Sequence, residues 1–198
     1  MRVQGQPGEP SKVIALIASA GGLDALTQVL EPLPADLPAA VVALQHLRPE
    51  GESVLPHLLA ARTALRVCKA TDGLPLVEGT VLVAPAGKHL LFTADHTAAL
   101  INSGGFPPSR PSADLLLTSL ALAVGSRLVA VVLTGKGNDA ATGMAAVHRF
   151  GGTVIACDEG SSRYFDMPAA TIALEHVVDF VLPLQDIPVR LVDLVRRP

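Results

Sequence analysis

The chain has 198 residues, 49% hydrophobic and 17% charged, which excludes a disordered or low-complexity protein and suffices for one domain with its own core. A formal net charge of -3 without a long basic run excludes nucleic-acid binding as the default expectation. No apolar run approaches the length of a membrane span, and the first twelve residues carry no apolar segment of the signal-peptide kind.

Aromatic residues are only 3% of the chain and Trp is absent. The core must therefore be Ala, Leu, Val and Ile, which suits strands buried on both faces. The two cysteines, Cys68 and Cys157, form no C-x-x-C pair, and the six histidines show no H-x-x-x-H spacing. No metal is expected, and a reduced, cytoplasmic setting fits best.

In chain order, residues 1–12 read as a flexible tail and 13–198 as a single domain. Residues 13–18 predict a buried strand, and 22–30 a helix with Leu23, Leu26 and Leu30 on one face. A second strand is expected over 39–44, a helix over 51–61 and a short strand over 65–69. The Gly/Pro-punctuated stretch 71–92 predicts a local β-hairpin region. Ser112 reads as the N-cap of a helix from Ala113 to about Val124. Residues 128–133 form the most apolar strand, followed by a helix over about 140–150 that Gly151 and Gly152 end. A strand over 153–156, a helix over 169–174, a strand over 177–180 and a closing helix over 187–197 complete the chain. The alternation predicts an α/β fold with a mostly parallel sheet.

In open parallel sheets, ligands bind outside the carboxyl ends of the strands. V-I-A-L-I-A is followed by Ser19, A-A-V-V-A-L by Gln45 and His46, and L-V-A-V-V-L-T by G-K-G-N-D, which ends at Asp139. A hydroxyl, an imidazole and a carboxylate thus fall at one predicted edge. A serine hydroxyl needs an adjacent base to become a nucleophile. Histidine suits that task near neutral pH, and a carboxylate fixes its tautomer and stabilises the imidazolium. Taken singly, each residue has a plainer role. Ser19 reads as a helix N-cap, since Ile17 occupies the first glycine position of the G-x-S-x-G elbow. His46 reads as a strand-end residue bonded to a loop, and Asp139 as an acid favoured by a helix dipole.

A rival reading uses the 135–140 turn. G-K-G-N-D-A matches G-x-G-x-x-A between a strand and a helix, with Asp158 and Glu159 at the next strand end where an acid would hold a ribose. Against it, Lys136 and Asp139 lie where a pyrophosphate would approach, and such fingerprints usually open their domain.

The ordered set I-A-S-A-G-G, Q-H-L, A-P-A-G-K-H, S-R-P-S-A-D and L-T-G-K-G-N-D-A-A-T-G-M resembles the catalytic domain of the CheB family of chemotaxis protein-glutamate methylesterases. F-D-M-P-A-A-T resembles that family's F-G-M-P-x-x-A segment, and the likeness covers roughly residues 12–183. It implies a doubly wound, Rossmann-like α/β fold with a small hairpin insertion. It also implies hydrolysis of glutamate methyl esters on the cytoplasmic helices of chemoreceptors, with possible glutamine deamidation and no cofactor. The family's nucleophile falls on Ser19, its base on His46 and its acid on Asp139. Backbone N–H groups of Ala20 and Lys136 would hold the oxyanion. Gly137, Asn138, Arg110 and His89 are further oxyanion or substrate candidates. Asn138 would brace the Asp139 turn, Arg110 would orient a receptor carboxylate, and His89 matches a family histidine.

The chain departs from the family at three places. Ala20 stands where the family has Thr, Lys136 where it has Met in G-M-G, and Asp166 where it has Gly in F-G-M-P. With about twelve residues before the first strand, no receiver domain is expected in this chain. Two alternatives stand beside the esterase: a nucleotide-binding regulatory module on the 135–140 turn, and a catalytically weak relative acting as a docking domain.

Overall fold

The computed structural model describes residues 10–46, 53–102 and 109–197. Most of the expected tail (1–9) and the start of the expected 51–61 helix lie outside the described residues. Residues 10–12 are tied down: Ser11 donates its backbone N–H to Glu78 Oε1 at 2.8 Å, and Arg127 Nη1 donates to the Pro10 carbonyl at 3.1 Å.

Strand β1 (Val13–Ala18) leads into helix α1 (Gly22–Leu30) and strand β2 (Ala40–Gln45). Helix α2 (Leu55–Ala60) and strands β3 (Arg66–Lys69) and β4 (Thr80–Val83) follow. Strands β5 (His89–Phe92) and β6 (Ala98–Ile101) form a separate antiparallel hairpin. Helix α3 (Ala113–Val124), strand β7 (Leu128–Thr134), helix α4 (Ala141–Arg149) and strand β8 (Thr153–Cys157) come next. Helix α5 (Asp166–Ile172), strand β9 (Phe180–Leu182) and helix α6 (Ile187–Arg196) close the chain.

The main sheet has seven strands in the order β3-β4-β2-β1-β7-β8-β9, with every adjacent pair parallel. The apolar runs explain it. In β1, Val13, Ala15 and Ile17 enter one core while Ile14, Leu16 and Ala18 enter the other. In β7 the same alternation separates Leu128, Ala130 and Val132 from Val129, Val131 and Leu133. A strand apolar on both faces is stable only when helices cover both sides, which parallel crossovers supply. Helices α1, α2 and α6 bury Leu26, Leu59 and Leu191 on one face; α3 and α4 bury Leu116 and Met144 on the other, beside Leu90 of the hairpin. The chain leaves β1 toward β2 on one side and returns to pair β7 on the other. That switch of winding opens a crevice at the carboxyl end of β1.

Three expectations shift. Within 71–92, residues 80–83 join the main sheet because all four are buried; the hairpin pairs His89 with Ile101 through Phe92 with Ala98. Helix α5 starts at Asp166 and not at 169, because Pro168 sits in its first turn, where no N–H is required. The last strand lies at Phe180–Leu182 and not at 177–180, since Val177 turns into the core and Asp179 bonds Val154 through backbone and side chain.

No helix among the described residues is long and apolar enough to cross a membrane.

Candidate active site

Three strand ends converge at the β1 crevice. Ser19 follows β1 directly, its N–H donating to the Thr134 carbonyl at the end of β7 at 2.8 Å. Helix α1 is capped by Gly21 at φ 75, a left-handed conformation that glycine adopts without penalty. The Ser19 side chain makes no capping bond, and its Oγ has no hydrogen-bond partner among the described residues. The helix-cap role is therefore taken by the glycine, and the hydroxyl is left for other work. A Cβ on Gly22 would lie 2.9 Å from that of Ala18 and 3.0 Å from Gln45 Cδ. Only glycine lets α1 begin this close beneath the strand ends.

His46 follows β2. Ala18 pairs with Gln45 in the parallel ladder, and the His46 N–H donates to the Ala18 carbonyl at 3.0 Å. Ser19 and His46 are thus next neighbours across the β1–β2 edge. His46 Nε2 lies 2.8 Å from Asp139 Oδ2, with both side chains largely buried.

Asp139 belongs to the β7–α4 turn, yet its carboxylate sits on the N-terminus of α3. Its Oδ1 accepts from Ser112 Oγ and the Asp114 N–H, both at 3.0 Å, and Oδ2 accepts from the Ala113 N–H at 2.9 Å. Burial pushes the Asp139 carboxyl up. The hydrogen bond from His46, the two backbone N–H donors and the histidine charge outweigh it and hold the group below its ordinary value. Ionised Asp139 can only accept, so Nε2 of His46 carries a hydrogen, and in the neutral imidazole the lone pair falls on Nδ1.

The capping is reciprocal. Asp114 of α3 accepts with Oδ1 from the N–H groups of Ala140, the N-cap of α4, and of Gly143 within it, at 3.1 and 2.7 Å. Each helix N-terminus thus receives a carboxylate from the N-terminal end of the other: Asp114 from the first turn of α3, and Asp139 from the turn that leads into α4. Burial, with Asp139 nearby adding to it, raises the Asp114 carboxyl above its ordinary value despite these bonds. This exchange also disposes of the dinucleotide reading. The α4 N–H groups that a pyrophosphate would need are occupied by a carboxylate, and Asp139 adds a second. Asp158, the expected ribose acid, is bonded within its own turn to Ser161 N and Oγ.

The remaining candidates separate. Gly135 touches Ser19: a Cβ there would lie 2.7 Å from Ser19 Cβ and run into Met167. The Gly135 N–H donates to the Tyr164 carbonyl at 2.8 Å. Lys136 is exposed, its Nζ 5.2 Å from the centroid of the Tyr164 ring. The N–H groups of Ala20 and Lys136 make no hydrogen bond among the described residues. Gly137 sits at φ 85 with no atom within 4 Å of a built Cβ, so backbone conformation and not packing requires it. Asn138 braces its turn through its carbonyl, which accepts from Ala141 N–H at 3.1 Å; its exposed side chain takes no part. Arg110 is half-buried, and its Nε has no partner.

His89 is corrected. It is fully buried, and its Nδ1 accepts from the Ser112 N–H at 3.1 Å. Burial first, then the Arg110 charge, lower its pKa, with Asp139 partly opposing. Neutral and enclosed, it supports the Ser112 turn under Asp139 and cannot touch substrate.

Sequence reasoning missed Asp114, Thr134 and Tyr164. Thr134 Oγ1 accepts from the Tyr164 N–H at 3.0 Å and lies 3.1 Å from the Ala20 carbonyl, joining three loops. Its signal was a hydroxyl closing an apolar run; Asp114 showed only as an acid in a first turn. Among the described residues no cluster of three His, Cys, Asp or Glu is placed to hold a metal.

Fold and site together define a doubly wound, Rossmann-like α/β domain with serine, imidazole and carboxylate at adjoining strand ends. The chain belongs to the CheB methylesterase family, whose sequence model matches residues 14–191. It is 37% identical over 184 residues to protein-glutamate methylesterase FrzG of Myxococcus xanthus, covering 93% of this chain and 55% of that protein. It is 39% identical over 188 residues to a protein-glutamate methylesterase/protein-glutamine glutaminase of Moorella thermoacetica, covering 93% and 44%. The chain spans about half the length of these curated relatives. The crystal structure of the Thermotoga maritima CheB methylesterase catalytic domain superposes with a TM-score of 0.88 at 34% identity, over 93% of this chain and 99% of that one.

Proposed function

We propose that this chain hydrolyses methyl esters of glutamate side chains on chemoreceptor proteins, releasing methanol, as the adaptation step of a chemotaxis-type pathway in the cytoplasm. Residues 13–198 would act as one catalytic domain. The observation that carries the reading is the 2.8 Å contact of His46 Nε2 with Asp139 Oδ2 at the strand end next to that of Ser19, which supports Nδ1 as the base.

In the first half-reaction Ser19 Oγ attacks the ester carbonyl while His46 takes its proton. Asp139 stabilises the imidazolium. The N–H groups of Ala20 and Lys136, unpaired among the described residues, receive the oxyanion. Collapse breaks the C–OCH3 bond, and His46 returns the proton to the leaving methoxide. In the second half, water gives its proton to His46 and adds to the acyl-serine; Ser19 leaves with that proton, and a glutamate carboxylate is freed. A glutamine amide follows the same course with ammonia leaving, which supports a glutaminase side activity.

The test is methanol release from methylated receptor. Ser19→Ala should lower it by roughly 10^3-fold or more. Full activity in that variant would sink the assignment, and no release by the wild type would favour a docking role.

A further inference from the structure

Beside Ser19 lies a group of side chains that ester cleavage does not use. The loop carrying Arg163 and Tyr164 folds over the β1–α1 turn: a Cβ on Gly21 would lie 3.2 Å from Arg163 Cδ and 3.4 Å from Tyr164 Cδ2. The same loop is latched to the β7–α4 turn, since the Tyr164 carbonyl accepts from the Gly135 N–H. Lys136 Nζ and Arg163 Cζ lie 5.2 and 5.9 Å from the Tyr164 ring centroid, so one aromatic ring holds two cations. Both cations are exposed. Arg163 shares its charge with Asp24 at 3.3 Å in an open pair, worth little in water. Lys136 has no carboxylate partner among the described residues. A ring face orients an ammonium without neutralising it, so the Lys136 charge stays available. Asp166, exposed at the start of α5, is the acid nearest in sequence to this loop, and the positive end of its own helix offsets it.

We infer that Lys136, fixed by Tyr164 and supported by Arg163, is a specificity site for free carboxylates flanking the scissile ester on the protein substrate. This rests on the methylesterase reading. Each turnover converts a neutral ester into a carboxylate, so the product of one cleavage becomes a recognition element for the next. Neighbouring sites on one acidic segment would then be cleaved in succession, and an isolated ester in a neutral surround would be the poorer substrate.

The test uses helical peptides with one central glutamate methyl ester, flanked either by Glu or by isosteric Gln. Binding is measured by fluorescence anisotropy to Ser19→Ala protein, so that nothing turns over. The Glu-flanked peptide should bind about two- to fivefold more tightly at low salt, the range of an exposed charge pair. High salt should shrink the difference. Lys136→Met should abolish it and Lys136→Arg should keep it. Equal affinities, a preference that survives Lys136→Met, or no binding of either peptide at low salt would overturn the inference. Methanol release from the same peptides by the wild-type protein keeps the two ideas apart. Release with equal affinities rejects the rim alone, and a charge preference without release rejects the esterase alone.

Discussion

Asp139 receives four donors: His46 Nε2, Ser112 Oγ and the N–H groups of Ala113 and Asp114. An amide cannot accept on both atoms, so Asp139→Asn must turn an NH2 toward one of them and loses the charge that sets the His46 tautomer. Its kcat should fall by roughly 10^3- to 10^4-fold, read as methanol release. The carboxyl also has a pH signature. Its folded pKa lies below the ordinary value. The stability it contributes is present above the unfolded carboxylate's pKa, about 3.9, and is lost as pH falls through the folded value. Urea midpoints of the wild type should decline through that acid window, while the difference between wild type and Asp139→Asn should narrow there. Gly135 gives a steric counterpart. Gly135→Ala sets a methyl 2.7 Å from Ser19 Cβ and against Met167, so it should cost about 1–3 kcal/mol in chemical denaturation and displace the hydroxyl from its base. The strand-end positions of Ser19 and His46 were legible in the sequence because each sits at the end of an apolar run, and that of Asp139 because it lies in the turn after a third. The burial of His89 was not, because A-G-K-H-L looks like a loop until the hairpin is packed on α3.

Helices α3 and α4 are coupled by the exchange of Asp139 and Asp114. Asp114→Ala strips the Ala140 and Gly143 N–H groups of their acceptor and should cost about 1–2 kcal/mol. Asp114→Asn should recover most of that in thermal unfolding, since an amide oxygen still accepts. Because burial already penalises the Asp114 charge, its ionisation withdraws stability as pH rises through the raised value; the neutral amide removes that loss. The helix beginning at Ala113 behind Ser112 was readable from the cap residue alone. The exchange was not, because an acid in a first turn shows only that a dipole favours it, and not which helix it serves. Helix α5 and strand β9 were misplaced for local reasons. Proline looked like a boundary where it is a tolerated first-turn residue, and the β-branched Val177 and Val178 looked like strand where they pack beneath it.

At the scale of the whole molecule, stability and chemistry are separated along the sheet. Leu30 closes α1 at the end away from Ser19 and is fully buried in the core shared by α1, α2 and α6. Leu30→Ala should cost about 2–5 kcal/mol in urea unfolding with methanol release per folded molecule unchanged. A change in that specific activity would mean that the α1 core also positions the strand ends.

The amino-acid sequence by itself determined the α/β class, the two-sided parallel sheet and the edge on which the hydroxyl, imidazole and carboxylate fall. Period-two apolar runs and their end residues are local properties of the chain. Tertiary structure alone decided that Asp139 caps a helix other than its own while meeting His46. It also decided that Gly21 and not Ser19 caps α1, that Asp114 fills the turn which read as a dinucleotide site, and that Tyr164 gathers Lys136 and Arg163 beside the serine. Apart from the local Gly21 cap and the adjacent Arg163 and Tyr164, those contacts join residues some 25 to 93 positions apart, and the crossing of the chain at β1 brings them together.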